Sequence, residues 1–354
     1  MKYRKTAAVV AAAVAAMMIA GPSSAAKKVK WKMHSAWGSS VPHLGTSGVR
    51  FSKNIKRVSG GNFTMKFFEP GALIPGNEGF DATSKGSVEA AWTTAGYDVG
   101  KHPALAFFTA VPFGPSMGEY FAWKMFGGGN EIQQRVYASS GIHQQDCFAI
   151  GPETSGWFKM EVTDLKQLRG LKMRFFGLGA RVMQKIGVST QLLAGGDIFP
   201  ALEKGVIDAT EFSMPAMDIK YGFYQIAKNN YFPGWHQQVS VSQLLINKKK
   251  WDGLADTYKA MVEMGCGDSI HHTYAETEYV NPFAMVEMGE KYGVKTRRWR
   301  DDQIAVFEKA WNEVVAEDSA KDALFKETHE SYAKFRKAYA KWGAAQALKP
   351  TYLK

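Results

Sequence analysis

The chain has 354 residues, of which 45% are hydrophobic and 22% are charged, a composition that is ordinary for a globular protein. The formal charge of +11 suits an anionic ligand, but the basic residues are dispersed and their densest runs are short, which argues against nucleic-acid binding. A chain of this length usually exceeds one compact core, so the sequence predicts two domains or lobes.

The first 26 residues have the organisation of a secretory signal peptide. Basic residues at 2–5 precede an apolar run at 6–20, which is shorter than the roughly 20 residues that span a bilayer and so disfavours a membrane anchor. Small residues stand at the −3 and −1 positions for cleavage after Ala25 or Ala26. We therefore predict a signal peptide over 1–26 and an exported mature protein of 328 residues (354 minus 26) with a charge near +8 (11 minus 3).

Short strands alternate with helices in the mature chain. The first group of predicted elements is a strand at 29–33, a helix at 43–58, a strand at 62–68, a helix at 79–85 and a strand at 88–94. The second group is a strand at 171–175, helices at 179–186 and 199–204, and a strand at 206–212. This alternation predicts an α/β fold with mostly parallel sheets covered by helices.

Two stretches of these groups are also similar in sequence. Residues 80–92 align without gaps with residues 199–211, at an offset of 119 residues (199 minus 80), and Phe, Ala, Lys, Gly, an aliphatic residue, an acid and Ala recur in both. Each copy reads as the end of a helix, a glycine and a strand. Chance, or the helix–glycine–strand pattern that α/β proteins share in general, would explain this similarity. We favour the alternative explanation that the chain contains two similar lobes. Ligands bind beyond the carboxyl ends of parallel strands, so the repeat predicts a cleft between the strand ends near 92–94 and 211–212.

From about residue 250 the sequence becomes rich in helix. Predicted helices at 251–264 and 268–292 are followed by a strand at 294–299 and a helical region at 301–343. A helix as long as the last one packs along more than one lobe or against a second subunit. The sequence leaves both arrangements open, including a homodimer through the C-terminal helix.

Cys147 and Cys266 are the only cysteines. In an oxidising compartment they could pair, but their spacing in the sequence does not establish a disulfide. Neither cysteine lies beside a second Cys or a His at metal-ligand spacing, which argues against a zinc site and against a thiol nucleophile.

One motif offers a catalytic alternative. Residues 114–118 match the G-x-S-x-G pattern of a nucleophilic serine, between a predicted strand at 107–113 and a predicted helix at 119–126. Ser116 and Glu119 also match a capping box, and we favour this interpretation because no Asp or His partner is recognisable. A periplasmic serine esterase that uses Ser116 is therefore the alternative function.

Arg174 is the strongest candidate for binding an anion. It ends a predicted strand next to two glycines and the start of a helix, where a planar guanidinium can bind a carboxylate with two hydrogen bonds. A structural salt bridge would explain its position equally well. Glu153 and Glu211 are singly more often solvated or paired acids, but together with an arginine they could hold a hard cation that bridges to a ligand carboxylate.

Several ordered segments of the mature chain carry a family resemblance. They are 70–73 (Pro-Gly-Ala-Leu), Tyr97 with 102–114, 156–158 (Gly-Trp-Phe), 168–174, 205–209, 233–236 (Pro-Gly-Trp-His) and 244–248. Over essentially the whole mature chain, these residues resemble the extracytoplasmic solute receptors of TRAP transporters, the DctP-like family, and in particular its 2-oxo-acid-binding branch.

The resemblance implies an α/β, two-lobed periplasmic-binding-protein fold with a ligand cleft between the lobes and a long C-terminal helix. We expect the first lobe at 27–152 and 239–285 and the second lobe at 153–238 and 286–354. Such a receptor binds a small organic acid of the 2-oxo or 2-hydroxy monocarboxylate class in the periplasm. It delivers this ligand to the permease subunits in the membrane and carries out no chemistry on it.

The same resemblance assigns roles to residues. Arg174 would bind the ligand carboxylate, and a bridging Ca²⁺ or Na⁺ would be held next to the ligand by Glu153, Glu211, the carbonyl of Phe212 and Gln237. This chain departs from the family at two of these positions, because Glu replaces Gln at 153 and Phe replaces Trp at 212. Two carboxylates would favour Ca²⁺ over Na⁺, or would leave the site without a metal ion. The resemblance also implies an aromatic wall around the ligand, formed by Trp92, Tyr97, Phe175, Phe176 and Trp235.

Overall fold

The computed structural model describes residues 27–347, and the predicted signal peptide lies outside this range. Eleven strands form two sheets within it. The strands of sheet A are β1 (Val29–Ser35), β2 (Phe63–Phe68), β3 (Ala90–Thr93), β4 (Ile142–Ile150) and β10 (Ser240–Asn247). Those of sheet B are β5 (Gly156–Phe158), β6 (Lys172–Arg174), β7 (Ser189–Gln191), β8 (Ala209–Thr210), β9 (Asn229–Phe232) and β11 (Lys295–Arg298). The spatial order is β2-β1-β3-β10-β4 in sheet A and β11-β9-β5-β8-β6-β7 in sheet B.

Each sheet, as far as residues 27–347 show, contains one strand that runs against the others. In sheet A, β1 pairs in parallel with β2 and β3, whereas β10 runs antiparallel to β3 and β4. In sheet B, β5 runs antiparallel to β8 and β9, and the remaining pairs are parallel. Both reversed strands directly follow a segment in which the chain crosses from one sheet to the other. The prediction of mostly parallel sheets is confirmed.

Eleven helices pack against these sheets in the described part of the chain. They are α1 (Gly45–Val58), α2 (Gly79–Lys85), α3 (Met117–Phe126), α4 (Gly129–Ser139), α5 (Gly177–Lys185), α6 (Gly195–Glu203), α7 (Pro215–Tyr221), α8 (Lys248–Asp252), α9 (Asp256–Glu290), α10 (Asp301–Lys321) and α11 (Ala323–Gln346). The glycines predicted after the two repeat helices, Gly86 and Gly205, have φ angles of 77° and 69°, a conformation that glycine adopts without steric cost. None of the helices within 27–347 combines the length and hydropathy that a membrane span requires.

The 35-residue helix α9 contacts elements of both lobes. It packs against α1 and β4 on one side and against α7 on the other. A disulfide between Cys147 and Cys266 links β4 to α9 and answers the question that the sequence left open. The interruption predicted between 264 and 268 does not occur. Instead, Gly265 lets α1 approach closely, since a Cβ at this position would lie 3.2 Å from side-chain atoms of Phe51.

The predicted helical region at 301–343 consists of two helices with a break at Asp322. The carboxylate of Asp322 accepts a hydrogen bond from the backbone N–H of Phe325 at 2.7 Å and so caps α11. Helix α10 packs against α5, on the side of sheet B, whereas α11 packs against α3 and α4, on the side of sheet A. Residues 323–346, which the resemblance placed in the second lobe, thus contact α10 and also elements of the first lobe.

The prediction of a strand at 107–113 is wrong. Residues Pro103–Phe108 form a 3₁₀-helix instead, and residues 104–108 are all buried. A continuous run of apolar residues shows no hydrophobic period, so periodicity cannot distinguish a buried strand from a buried helical segment. Here Pro103 starts the helical turn, and Phe107 packs on Phe325 of α11 with 4.8 Å between the ring centroids.

Candidate functional site

A cavity lies between the two lobes at the ends of their strands. Its empty volume is about 340 Å³, part of which is open to solvent. Residues from both lobes line it: Trp37, Leu44, Thr94, Tyr97, Ile150, Glu153, Arg174, Phe176, Phe212, Ser213, Gln237, Ser240 and Ser242. The cleft therefore lies where the sequence repeat predicted it.

Arg174 lies at the end of β6, buried beside the end of β8. Its Nη1 donates to the backbone carbonyl of Glu211 at 2.5 Å and to Glu211 Oε2 at 3.0 Å, and its Nε donates to the carbonyl of Leu193 at 3.3 Å. The parallel pairing of Arg174 with Thr210 brings Glu211, the next residue, into this position. Among the described residues none accepts a hydrogen bond from Nη2. The guanidinium thus has donor capacity for a carboxylate in the cavity.

Two carboxylates and an imidazole meet beside this arginine. Glu153 Oε1 accepts a hydrogen bond from the Ser213 hydroxyl at 2.7 Å, and Glu211 Oε2 accepts one from the Phe176 N–H at 3.0 Å. The other two oxygens, Glu153 Oε2 and Glu211 Oε1, lie 3.7 and 3.5 Å from His236 Nε2. One ligand atom from each of these three residues lies within 4.8 Å of the others. Neither oxygen has a hydrogen-bond partner among residues 27–347, so both are available to a cation.

Gln237 lies in the turn after β9 and lines the same cavity as Glu153. Its carbonyl accepts a hydrogen bond from Glu153 N at 3.1 Å, and its N–H donates to the carbonyl of Gly234 at 3.1 Å. The two segments approach closely because residue 234 is a glycine, where a Cβ would lie 2.0 Å from the carbonyl oxygen of Glu153. Gln237 Oε1 is also buried without a partner in the described part of the chain. Two carboxylate oxygens and one amide oxygen form a donor set that suits a hard cation.

Burial and neighbouring charges shift the pKa values of this cluster in different directions. Burial, reinforced by the charge of Glu211, raises the pKa of Glu153 to about 7. Burial alone would also raise the pKa of Glu211, but the Arg174 guanidinium keeps it below its usual value. For His236, burial alone would lower the pKa, whereas the two carboxylates raise it to about 9. Arg174 and Glu211 therefore form an ion pair, and without a metal ion a protonated His236 supplies positive charge next to the two carboxylates.

Two residues of the expected aromatic wall, Tyr97 and Phe176, line the cavity, together with Phe212. The ring centroids of Phe176 and Phe212 lie 5.9 and 5.2 Å from the guanidinium carbon of Arg174, within the range of cation–π contact. Tyr97 makes an edge-to-face contact with Phe176 across the two lobes, with 5.8 Å between the ring centroids. These rings thus surround the guanidinium at the edge of the cavity.

Trp92, also expected in this wall, does not line the cavity. It is fully buried within sheet A and stacks on Phe148 with 4.4 Å between the ring centroids. Its indole N–H donates to the carbonyl of Leu44 at 2.9 Å. The cavity begins two residues farther along the chain, at Thr94.

Phe175 and Trp235 also lie outside the cavity wall. Alternate side chains of an extended segment point in opposite directions, so Phe175 faces away when its neighbours Arg174 and Phe176 face the cavity. Phe175 packs on Trp235 at 6.1 Å between the ring centroids, and Trp235 stacks on Phe307 of α10. Both residues support the site from behind.

Sequence reasoning missed several residues of the site. Those that line the cavity are Trp37, Leu44, Thr94, Ile150, Ser213, Ser240 and Ser242. A signal existed for two of them, because the offset of 119 residues relates Thr94 to Ser213 (94 plus 119). His236 stands directly before the predicted Gln237. No periodicity in the sequence indicates that these two adjacent residues of the turn face the same cluster.

Ser116 caps helix α3, as the capping-box interpretation predicted. Its Oγ accepts a hydrogen bond from the N–H of Glu119 at 3.4 Å. The Glu119 carboxylate does not reach back to the cap but accepts a hydrogen bond from Arg336 at 3.1 Å. Ser116 is not among the residues that line the cavity between the lobes.

Comparison with known proteins places this geometry in context. The family described as bacterial extracellular solute-binding protein, family 7, matches residues 34–322. The chain is similar to the monocarboxylate 2-oxoacid-binding periplasmic protein of Nostoc sp., with 32% identity over 321 residues that cover 90% of this chain and 87% of that protein.

Two solved structures share the fold. One is a TRAP transporter solute-binding protein from Bordetella bronchiseptica, a mixed-occupancy dimer with copurified calcium and picolinate in one active site (TM-score 0.87, 31% identity, 90% of this chain and 95% of that one). The other is a TRAP periplasmic solute-binding protein from Pseudoalteromonas atlantica with bound sodium and pyruvate (TM-score 0.87, 27% identity, 90% of this chain and 97% of that one).

Proposed function

Since the chain belongs to the bacterial extracellular solute-binding proteins of family 7 and is the solute receptor of a TRAP transporter, not an enzyme, we propose that it binds a small 2-oxo or 2-hydroxy monocarboxylate between its lobes. The family is periplasmic and works with TRAP permeases, and we propose that the signal peptide at 1–26 is cleaved on export. The serine esterase is set aside, because Ser116 serves as a helix cap and the relatives are binding proteins.

The observation that carries the proposal is the unpaired side of the Arg174 guanidinium. Arg174 is the one Lys or Arg residue among those lining the cavity. A ligand with one carboxylate finds a charged donor there, and the cavity lining offers no second Lys or Arg for the other carboxylate of a dicarboxylate. The small volume of the cavity favours an acid of a few carbon atoms.

Ligand-dependent stabilisation tests this proposal. Pyruvate, lactate and 2-oxobutanoate are expected to stabilise the purified mature protein by about 3 kcal/mol at about 100 times the dissociation constant. Malonate, a dicarboxylate of similar size, should stabilise it much less. Thermal unfolding in the presence of each acid measures the effect. If none of the monocarboxylates raises the unfolding temperature, the proposal fails.

We also propose that a Ca²⁺ ion bridges the cluster and the ligand. Glu153, Glu211, Gln237 and the backbone carbonyl of Phe212 would hold the ion, and its charge would stabilise the bound carboxylate. The unpartnered oxygens of the first three residues support this assignment. Two carboxylates favour a divalent over a monovalent ion because Ca²⁺ affinity rises with the number of charged ligands.

The Glu153→Gln variant tests the identity of the ion. Removal of one charge is expected to weaken Ca²⁺ binding by about tenfold or more and to let Na⁺ support pyruvate binding instead. The measurement is pyruvate titration after treatment with EDTA, with CaCl₂ or NaCl added back. Glu263→Gln, at an exposed position on α9, is the matched control. Pyruvate binding to the wild type that resists EDTA would refute the Ca²⁺ assignment.

We further propose that the protein forms a homodimer through the end of α11. No residue from 337 to 346 is buried, so this part of the helix projects from the body of the subunit. Tyr339 and Trp342 lie at helical spacing along it, and Trp342 is 59% exposed. An apolar stripe on a projecting helix is stabilised when a second copy covers it.

Light scattering coupled to gel filtration tests the dimer. The wild type is expected to elute as a dimer and Trp342→Glu as a monomer, because a charge in the covered stripe is unfavourable. Phe126→Glu is the matched control, since Phe126 is 87% exposed at the end of α3 and lies outside the stripe. A monomeric wild type would exclude this assembly.

A further inference from the structure

One face of strand β10 changes from apolar to hydroxyl-bearing where it reaches the cavity. Alternate side chains share a face of a strand, and Ile246 and Leu244 on this face are fully buried in the apolar core. The next two positions on the same face are Ser242 and Ser240, which are 5% and 4% exposed and line the cavity. An apolar residue would be the favourable choice here if the position only had to be packed.

The hydroxyls in this wall differ in whether they have a hydrogen-bond partner in the protein. Thr94 Oγ1 lies 2.8 Å from Thr109 Oγ1, which in turn lies 3.3 Å from Ser240 Oγ. These three form a hydrogen-bonded chain. Ser242 Oγ has no hydrogen-bond partner among residues 27–347. This hydroxyl therefore faces the cavity and is free to hydrogen-bond the occupant in place of water.

The surroundings of Ser242 limit what that occupant can be. Arg174 belongs to the opposite lobe, so a carboxylate bound there directs the other end of the ligand toward the wall formed by sheet A. This wall is uncharged, and apart from its hydroxyls it is formed by Trp37, Leu44, Tyr97 and Ile150. A charged group at the far end of the ligand would be unfavourable, whereas a neutral hydrogen-bonding group would find Ser242.

We infer that Ser242 is a specificity-determining residue that hydrogen-bonds a hydroxyl at the end of the ligand remote from its carboxylate. The preferred ligands are then 2-oxo or 2-hydroxy monocarboxylates with a terminal hydroxyl group. This inference rests on the proposed function, since it requires that Arg174 binds the carboxylate. A site that offers a hydrogen bond to a hydroxyl discriminates against the analogue that lacks it, because its own polar group is then left unpaired.

Two pairs of acids that differ by one hydroxyl test the inference. They are hydroxypyruvate with pyruvate and glycerate with lactate, titrated calorimetrically with Ca²⁺ and Na⁺ both present. The wild type is expected to bind the hydroxylated member of each pair about tenfold more tightly. Ser242→Ala should reduce this preference to less than about twofold, mainly by weakening the hydroxylated acid. Ser269→Ala removes another buried hydroxyl without a partner, on α9 and away from the cavity, and should keep the preference.

The outcomes separate this inference from the proposed function. Equal binding of both members by the wild type, or a preference that Ser242→Ala retains, would overturn the role of Ser242 and leave the carboxylate receptor intact. Absence of binding of all four acids to the wild type would overturn the receptor for small monocarboxylates and this inference with it.

Discussion

The Arg174→Ala variant is expected to lose detectable binding of every carboxylate ligand and to have a free energy of unfolding lower by about 3 to 5 kcal/mol. The side chain of Arg174 is 1% exposed, and that of its partner Glu211 is 0% exposed. Removal of the guanidinium leaves a buried carboxylate without its countercharge and removes the donor to the ligand carboxylate. Urea denaturation measures the first effect, and pyruvate titration measures the second.

A double variant separates the two losses. Arg174→Met combined with Glu211→Gln removes both charges at nearly constant volume, so a large part of the lost stability should return. Pyruvate binding should not return, because the donor to the carboxylate is still missing and the proposed cation site has lost one of its two carboxylates. If Arg174→Ala folds and its unfolding temperature still rises with pyruvate as in the wild type, Arg174 does not bind the ligand.

Local sequence patterns predicted the elements that carry the site. The repeat identified the ends of β3 and β8 as neighbours across a cleft, because a helix, a positive-φ glycine and a strand recur at the same offset. Arg174 could be predicted to end a strand, because it is the last residue of a short stretch in which apolar and polar residues alternate. Each of these patterns involves only a few adjacent residues, so it can be recognised in a single sequence.

The positions of individual side chains were less predictable, because they depend on contacts between distant segments. The repeat places Trp92 opposite Glu211, but α1 and β4 cover that part of sheet A, so Trp92 joins the core and Thr94 reaches the cavity. His236 approaches both carboxylates only because Gly234 allows the turn to pack against the backbone of Glu153. No spacing in the sequence encodes these approaches.

The contact between Gly96 and Phe176 joins the two lobes next to the ligand cavity. A Cβ at residue 96 would lie 1.9 Å from Cζ of the Phe176 ring and within 2.7 Å of both adjacent ring carbons. The ring cannot easily move, because it packs against the Arg174 guanidinium and against Tyr97. A methyl group at residue 96 should therefore be accommodated by separation of the lobes, not by rotation of the ring.

Gly96→Ala is accordingly expected to weaken pyruvate binding by about ten- to a hundredfold, since overpacking of this kind costs about 1 to 3 kcal/mol and acts on the closed arrangement of the lobes. The free energy of unfolding without ligand should change little, because the open arrangement relieves the clash. Calorimetry measures the affinity, and small-angle X-ray scattering should show that saturating pyruvate compacts the variant less than the wild type. Gly100→Ala is the matched control, because a Cβ at residue 100 meets nothing within 4 Å. Wild-type affinity in Gly96→Ala would mean that this contact does not limit closure of the lobes.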